Sequence, residues 1–209
     1  MNFGGKLVYA FGLATILSLA GARAGGAAQV VLSDPLSTWP LNFGAQGTEI
    51  MLKDGAVHIV TPVNDADWVM YSGFTFSDMD ASVTVAPQNA NGNAAGLLFW
   101  AAATNNFFDF AISDTYGKFA VYHYVAGAAT PWTPIVPYTV NAAIKTGAGA
   151  TNTLRIVTKG NYVTLYINGQ SVGGLSLMQP TGGGSIGIEG ESTTKGVADY
   201  AFSNLTVSQ

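Results

Sequence analysis

From residue 30 to the C-terminus, apolar and polar residues alternate with a period of two in short runs rich in Val, Ile, Tyr, Phe and Thr, separated by Gly, Asn and Asp. Successive side chains on a strand point to opposite faces, so this pattern requires half-buried β-strands, and almost no segment has the 3.6-residue spacing of a helix. The expected strands are Val30–Ser33, Thr48–Lys53, Ala56–Thr61, Asp67–Ser72, Asp80–Ala86, Ala94–Ala102, Asn106–Ser113, Lys118–Val125, Thr153–Lys159, Tyr162–Asn168, Gln170–Leu177, Ser185–Glu191 and Val197–Val207. Asp54-Gly55 and Asn168-Gly169 accept positive φ and favour tight hairpins, which makes neighbouring runs antiparallel. Strands recurring at about 8 to 12 residues indicate a sandwich or barrel. An N-terminal strand far in sequence from the last one suits a jelly roll. Pro87–Asn93, Ala126–Gly149 and Thr181–Gly184 read as loops between strands, so no domain boundary divides this part of the chain.

The N-terminus breaks the pattern. Lys6, the apolar run Leu7–Ala22 and the Ala22-Arg23-Ala24 site together read as a signal peptide over residues 1–24, with one domain over 25–209 and a secreted or periplasmic destination. The run falls short of the 18 or more apolar residues of a span and carries Gly12 and Gly21, so no membrane span is expected in the mature chain. Without the leader, six scattered basic residues face twelve acidic ones, which disfavours nucleic acid because phosphate binding needs clustered Lys and Arg. The chain has no Cys, hence no disulfide frame and no thiolate chemistry.

Parity assigns faces. Phe108, Phe110, Ile112, Phe119, Val121, Leu154, Ile156, Val163, Leu165, Ile167, Ile186 and Ile188 form the expected core, while the opposite face collects Phe107, Asp109, Tyr122, Tyr124, Arg155, Tyr162, Thr164, Tyr166, Glu189 and Glu191. A face that is polar and aromatic together matches a sugar ring, which presents an apolar C–H surface rimmed by hydroxyls. The candidate ligand-binding residues are Trp132, Tyr138, Tyr122, Tyr124, Tyr166, Asp109 and Glu189, with Trp132 favoured because it follows Pro131 in a loop. Trp68 and Trp100 add to the aromatic supply, Trp100 as a residue at least half buried.

Glu189 and Glu191 are the close glutamate pair and the candidates for acid–base work; at i and i+2 they share a face, about 6.5 to 7 Å apart. Against this stands their reading as solvated carboxylates at a strand end. Asp78 and Asp80 read as turn residues, as do Asn89, Asn91 and Asn93 around Gly92. No cofactor is called for, with calcium left open through Asp65 and Asp67, which lack an EF-hand's Gly and terminal Glu. Two histidines, His58 and His123, are too few for a zinc site without Cys, and His123 reads as a hydrogen-bonded, half-buried side chain. No G-x-S-x-G, P-loop or dinucleotide fingerprint occurs.

The run GLLFW (Gly96–Trp100), NFFDFAISDTYGKFAVYHY (Asn106–Tyr124), Pro131–Gly173, IGIEGES (Ile186–Ser192) and YAFSNLTV (Tyr200–Val207) resembles the concanavalin A-like lectin/glucanase superfamily. Within it, the chain is similar to exported bacterial domains related to the 3-keto-disaccharide hydrolase and laminin-G-like groups, some labelled family 16 glycoside hydrolases. The resemblance implies two curved antiparallel sheets that meet glycans on the concave face. The E-x-D-x-E string of family 16 glucanases and the calcium–manganese loop of legume lectins do not occur in this sequence. The leading expectation is a carbohydrate-binding, lectin-like module for an oligo- or polysaccharide. The alternatives are a glycan hydrolase or lyase using a carboxylate pair, and a structural envelope or matrix protein; the oligomeric state stays open.

Overall fold

The computed structural model describes residues 28–209; the expected signal peptide lies outside the described residues. Among these residues fourteen strands form two antiparallel sheets. The larger sheet holds β1 (Val30–Asp34), β2 (Ile50–Lys53), β3 (Ala56–Thr61), β5 (Asp80–Pro87), β10 (Asn152–Lys159), β11 (Tyr162–Ile167), β12 (Gln170–Ser176) and β14 (Ala198–Ser208). The smaller holds β4 (Ala66–Met70), β6 (Gly92–Ala103), β7 (Asn106–Ser113), β8 (Lys118–Val125), β9 (Trp132–Val140) and β13 (Ser185–Ser192). The eight-stranded sheet runs β12-β11-β10-β5-β14-β3-β2 with β1 also on β14, and the six-stranded sheet runs β4-β13-β6-β7-β8-β9. The chain crosses between sheets repeatedly, so strands distant in sequence become neighbours, as in a jelly roll.

All twelve residues expected in the core are buried in one cluster between the sheets, joined by Leu97 and Phe99 from one side and Val57, Ile59, Val83, Val85 and Phe202 from the other. Burying each such large side chain contributes about 1.5 to 3 kcal/mol, which is why a cysteine-free chain needs no further staple. The hairpins form as their turn residues require: Asp54 and Gly55 have φ of 50° and 75°, and Asn168 and Gly169 of 51° and 80°.

Two expectations are corrected. Residues 126–149 are not all loop, because Trp132–Val140 forms β9 at the edge of the six-stranded sheet. Pro134 and Pro137 are tolerated there because an edge strand has one side free of ladder bonds. The β8–β9 ladder also shifts register twice, so Val136 packs on the core while Trp132 and Tyr138 face outward, erasing the alternation that marks a strand. Secondly, the mixed polar and aromatic set divides between two surfaces. Arg155, Tyr162, Thr164 and Tyr166 belong to the eight-stranded sheet, whereas Phe107, Asp109, Tyr122, Tyr124, Glu189 and Glu191 belong to the six-stranded one. Parity separates the sides of a strand; it carries no information about which sheet the strand joins.

Candidate functional site

The outer face of the six-stranded sheet carries the site. Across it the register aligns Trp68, Glu189 and Gly96 in one row, Leu98, Asp109, Tyr122 and Pro134 in another, and Phe107, Tyr124 and Trp132 in a third. The last row, with Trp68, Met70, Leu98 and Ala101, makes a second apolar cluster outside the main core. Trp132 lies 4.6 Å from Tyr124, 5.8 Å from Phe107 and 6.1 Å from Trp68, centroid to centroid. Packing therefore accounts for much of Trp132, contrary to its expected place in an exposed loop.

Beside this cluster a cavity of about 200 Å³ is lined by Ala66, Asn93, Asp109, Tyr122, Trp132, Tyr138, Glu189 and Glu191. Asp109 on β7 and Glu189 on β13 form its floor, each only 2% exposed. They approach because the intervening strand carries Gly96: a methyl there would overlap Asp109 Oδ1 and lie 3.1 Å from Glu189 Oε2. Those same two oxygens are buried and have no hydrogen-bond partner among the described residues.

Burial pushes both carboxyls well above the usual carboxylate range; the Glu191 charge adds to the effect on Asp109, and the Asp109 and Glu191 charges to that on Glu189. The two titrate as a unit that retains a proton where free carboxylates have lost theirs. Glu191, half-buried at the rim, is also raised by burial, but the Asn93 amide beside it favours the charged form. Burial likewise raises the phenols of Tyr122 and Tyr138, with the neighbouring carboxylates adding to it, so both stay protonated donors.

The structure thus brings together Asp109, Tyr122, Trp132, Tyr138, Glu189 and Glu191. Glu189 is not a solvated strand-end carboxylate: β13 is an interior strand, and its side chain is sealed under the aromatic wall. Tyr124 lines the adjoining groove with Asp65, Ala66, Trp68, Trp132 and Glu191. Tyr166 is displaced from the site altogether; its ring packs 4.7 Å from the Arg155 guanidinium on the other sheet, and Arg155 is paired with Asp80. The Asp65–Asp67 pair does not converge as ligands. Asp65 Oδ1 accepts from the Ala66 amide, while Asp67, opposite Gly190, faces the interior between the sheets. Among the described residues no group of three or more His, Asp or Glu side chains is placed to hold a metal ion. His123 bonds to Asn106 Oδ1 at 3.0 Å and stacks on Phe108, away from the carboxylates.

Two contributors escaped the sequence reading. Asn93 is not a turn residue, since β6 begins at Gly92 and carries it into the cavity beside Glu191. Gly96 had one legible signal, a glycine inside an otherwise apolar strand, which marks a close approach.

The family model for the 3-keto-alpha-glucoside-1,2-lyase-like domain matches residues 32–208. The chain belongs to that family. The fold of this family member is concanavalin A-like, with solved neighbours on both sides of the binding and cleaving divide. The carbohydrate-binding module CBM66 from Bacillus subtilis superposes with a TM-score of 0.61 at 14% identity, covering 73% of this chain and 86% of that one. The laminarinase catalytic domain from Thermotoga maritima gives 0.60 at 9% identity over 87% and 98%, and the Bacillus licheniformis β-glucanase 0.60 at 11% over 87% and 98%. At such identities the likeness is one of fold. No curated protein matches the sequence. The family member is a jelly-roll domain, and no described helix is long and apolar enough to cross a membrane.

Proposed function

We propose that this protein is an exported glycan-cleaving enzyme that opens 3-keto glycosides by 1,2-elimination. The observation that carries the reading is the buried Asp109–Glu189 pair with an unpartnered oxygen on each carboxyl, facing a cavity that Glu191 rims. Structural carboxylates are ordinarily satisfied, and two left unpaired at a cavity floor suit proton transfer to a ligand.

The chemistry needs a base and an acid with different proton affinities. Glu191 takes the proton from C2, which the neighbouring C3 carbonyl acidifies. Tyr122 and Tyr138 donate hydrogen bonds to the negative charge that develops on the carbonyl oxygen. As the C1–C2 double bond forms and the C1–O bond breaks, the Asp109–Glu189 pair supplies its retained proton to the departing oxygen. The products are a conjugated enone and a free hydroxyl, and no water is consumed.

Enone absorbance on 3-keto disaccharides tests the scheme. Glu191→Gln is expected to lower kcat by about 10² to 10⁴, as is Asp109→Asn combined with Glu189→Gln. The parent should show a bell-shaped pH profile: the rate rises as Glu191 ionises and falls as the buried pair loses its proton. Parental rates in Glu191→Gln would overturn the assignment.

The aromatic groove favours a second reading, a binding module. Trp68, Tyr124 and Trp132 border a depression of about 420 Å³ that adjoins the cavity. Under that reading polysaccharides are retained in affinity electrophoresis without product, and Trp132→Ala abolishes retention.

A further inference from the structure

On the side of the cavity away from the aromatic groove, Asn93 and Tyr138 are shared with a second depression of about 200 Å³, completed by Ser113, Tyr116 and Lys118. Cations are scarce on this chain, yet two of them meet at this point. Lys118 Nζ lies 5.8 Å from the Tyr116 ring centroid, and Lys195 Nζ, from the β13–β14 connection, 5.9 Å from it. Lys53 and Arg155 are committed to Asp199 and Asp80, but no ion pair among the described residues uses Lys118 or Lys195. Tyr116 is 52% exposed. Ser113 is 1% exposed, and its Oγ has no partner among the described residues although Ser113 lines this depression.

An aromatic ring, two ammonium groups outside any ion pair, an amide and a buried hydroxyl make a mixed surface that a neutral sugar would leave half used. We propose that Ser113, Tyr116, Lys118 and Lys195, with Asn93, form a subsite for an anionic substituent on the sugar next to the one held over the carboxylates. The shared chemistry is a sugar ring bearing a carboxylate or a sulfate ester. The inference rests on the cavity being a glycan site. It supplies a direction along the groove, with the charged unit on the Tyr138 side and the aromatic cluster on the Trp132 side. The placement also reconciles an anionic ligand with an acidic protein, because the deep carboxyl pair retains a proton and two cations outside any ion pair border the subsite.

The test is an NMR titration of the protein with methyl glucuronide, methyl glucoside 6-sulfate and methyl glucoside, following the amides of Ser113, Tyr116, Lys118 and Lys195. Saturable shifts with an anionic sugar and none with methyl glucoside are expected. A response to the glucuronide alone names a uronate, to the sulfate alone a sulfate ester, and to both an anion of either kind. Lys118→Gln with Lys195→Gln should weaken that response about five- to tenfold, as should raising the salt, while amides elsewhere hold their positions. No anionic response, an equal response to methyl glucoside, or an unchanged response in the double variant would overturn the subsite. Enone release from a neutral 3-keto disaccharide separates the two proposals: it persists in the lysine variant and disappears in Glu191→Gln.

Discussion

A methyl group at position 96 would occupy the space that Asp109 and Glu189 share. Gly96→Ala is therefore expected to push the pair apart, lowering stability by about 1 to 3 kcal/mol through overpacking and turnover by up to about 10² through misplacement. Denaturant melts and enone assays on the same variant read the two effects. The pair also makes stability depend on pH in a direction opposite to that of a salt-bridged acid. Burial raises both carboxyls, so above about pH 4 the folded protein holds protons that the unfolded chain has released. Stability falls as pH rises through the raised values and levels off beyond them. Asp109→Asn with Glu189→Gln is expected to melt above the parent at about pH 8 and to converge with it near pH 4. A double variant that melts lower at both would mean the carboxyls are not strained by their burial. The sequence named Asp109 and Glu189 among the ligand-binding candidates but did not show them as a pair, since there Glu189 and Glu191 stood out as neighbours in the chain. Glu189's decisive companion is Asp109, from a strand far away in sequence.

The strands themselves were readable where pleating alone decides the pattern. β3, β7 and β8 match the expected segments end to end, because each is rich in β-branched or aromatic residues and is bounded by turn or loop residues. β9 was not, since its two register shifts turn Val136 inward and leave Trp132 and Tyr138 outward. A strand that reverses parity twice within nine residues has no period to detect. The same irregularity aims Tyr138 at the cavity, so the feature that hid the strand helps to build the site. β9 is held to the sheet by β8 on one side and by its aromatic packing. Trp132→Ala is accordingly expected to cost about 1 to 3 kcal/mol of stability as well as ligand affinity, with Trp132→Phe recovering more of the stability than of the affinity. Thermal melts alongside affinity electrophoresis distinguish this dual role from a purely ligand-facing one.

Over the whole molecule, one core joins both sheets, so unfolding should be a single transition. Far-UV circular dichroism and tryptophan fluorescence are expected to give coincident melts. Separated midpoints would mean that the sheets melt independently. The two-sheet architecture was legible from strand spacing and from the Gly96–Val207 resemblance, whereas the placement of Tyr166 was not, because sheet membership is decided by pairings between strands distant in sequence. Among these, β13 inserts between β4 and β6 only after most of the chain has been made. Asp109, its aromatic neighbours and the cleared space at Gly96 are all synthesised long before Glu189 and Glu191. The carboxyl pair is therefore complete only when β13 takes its place between β4 and β6, and the wall and the acid–base groups of the site come from separate parts of the chain.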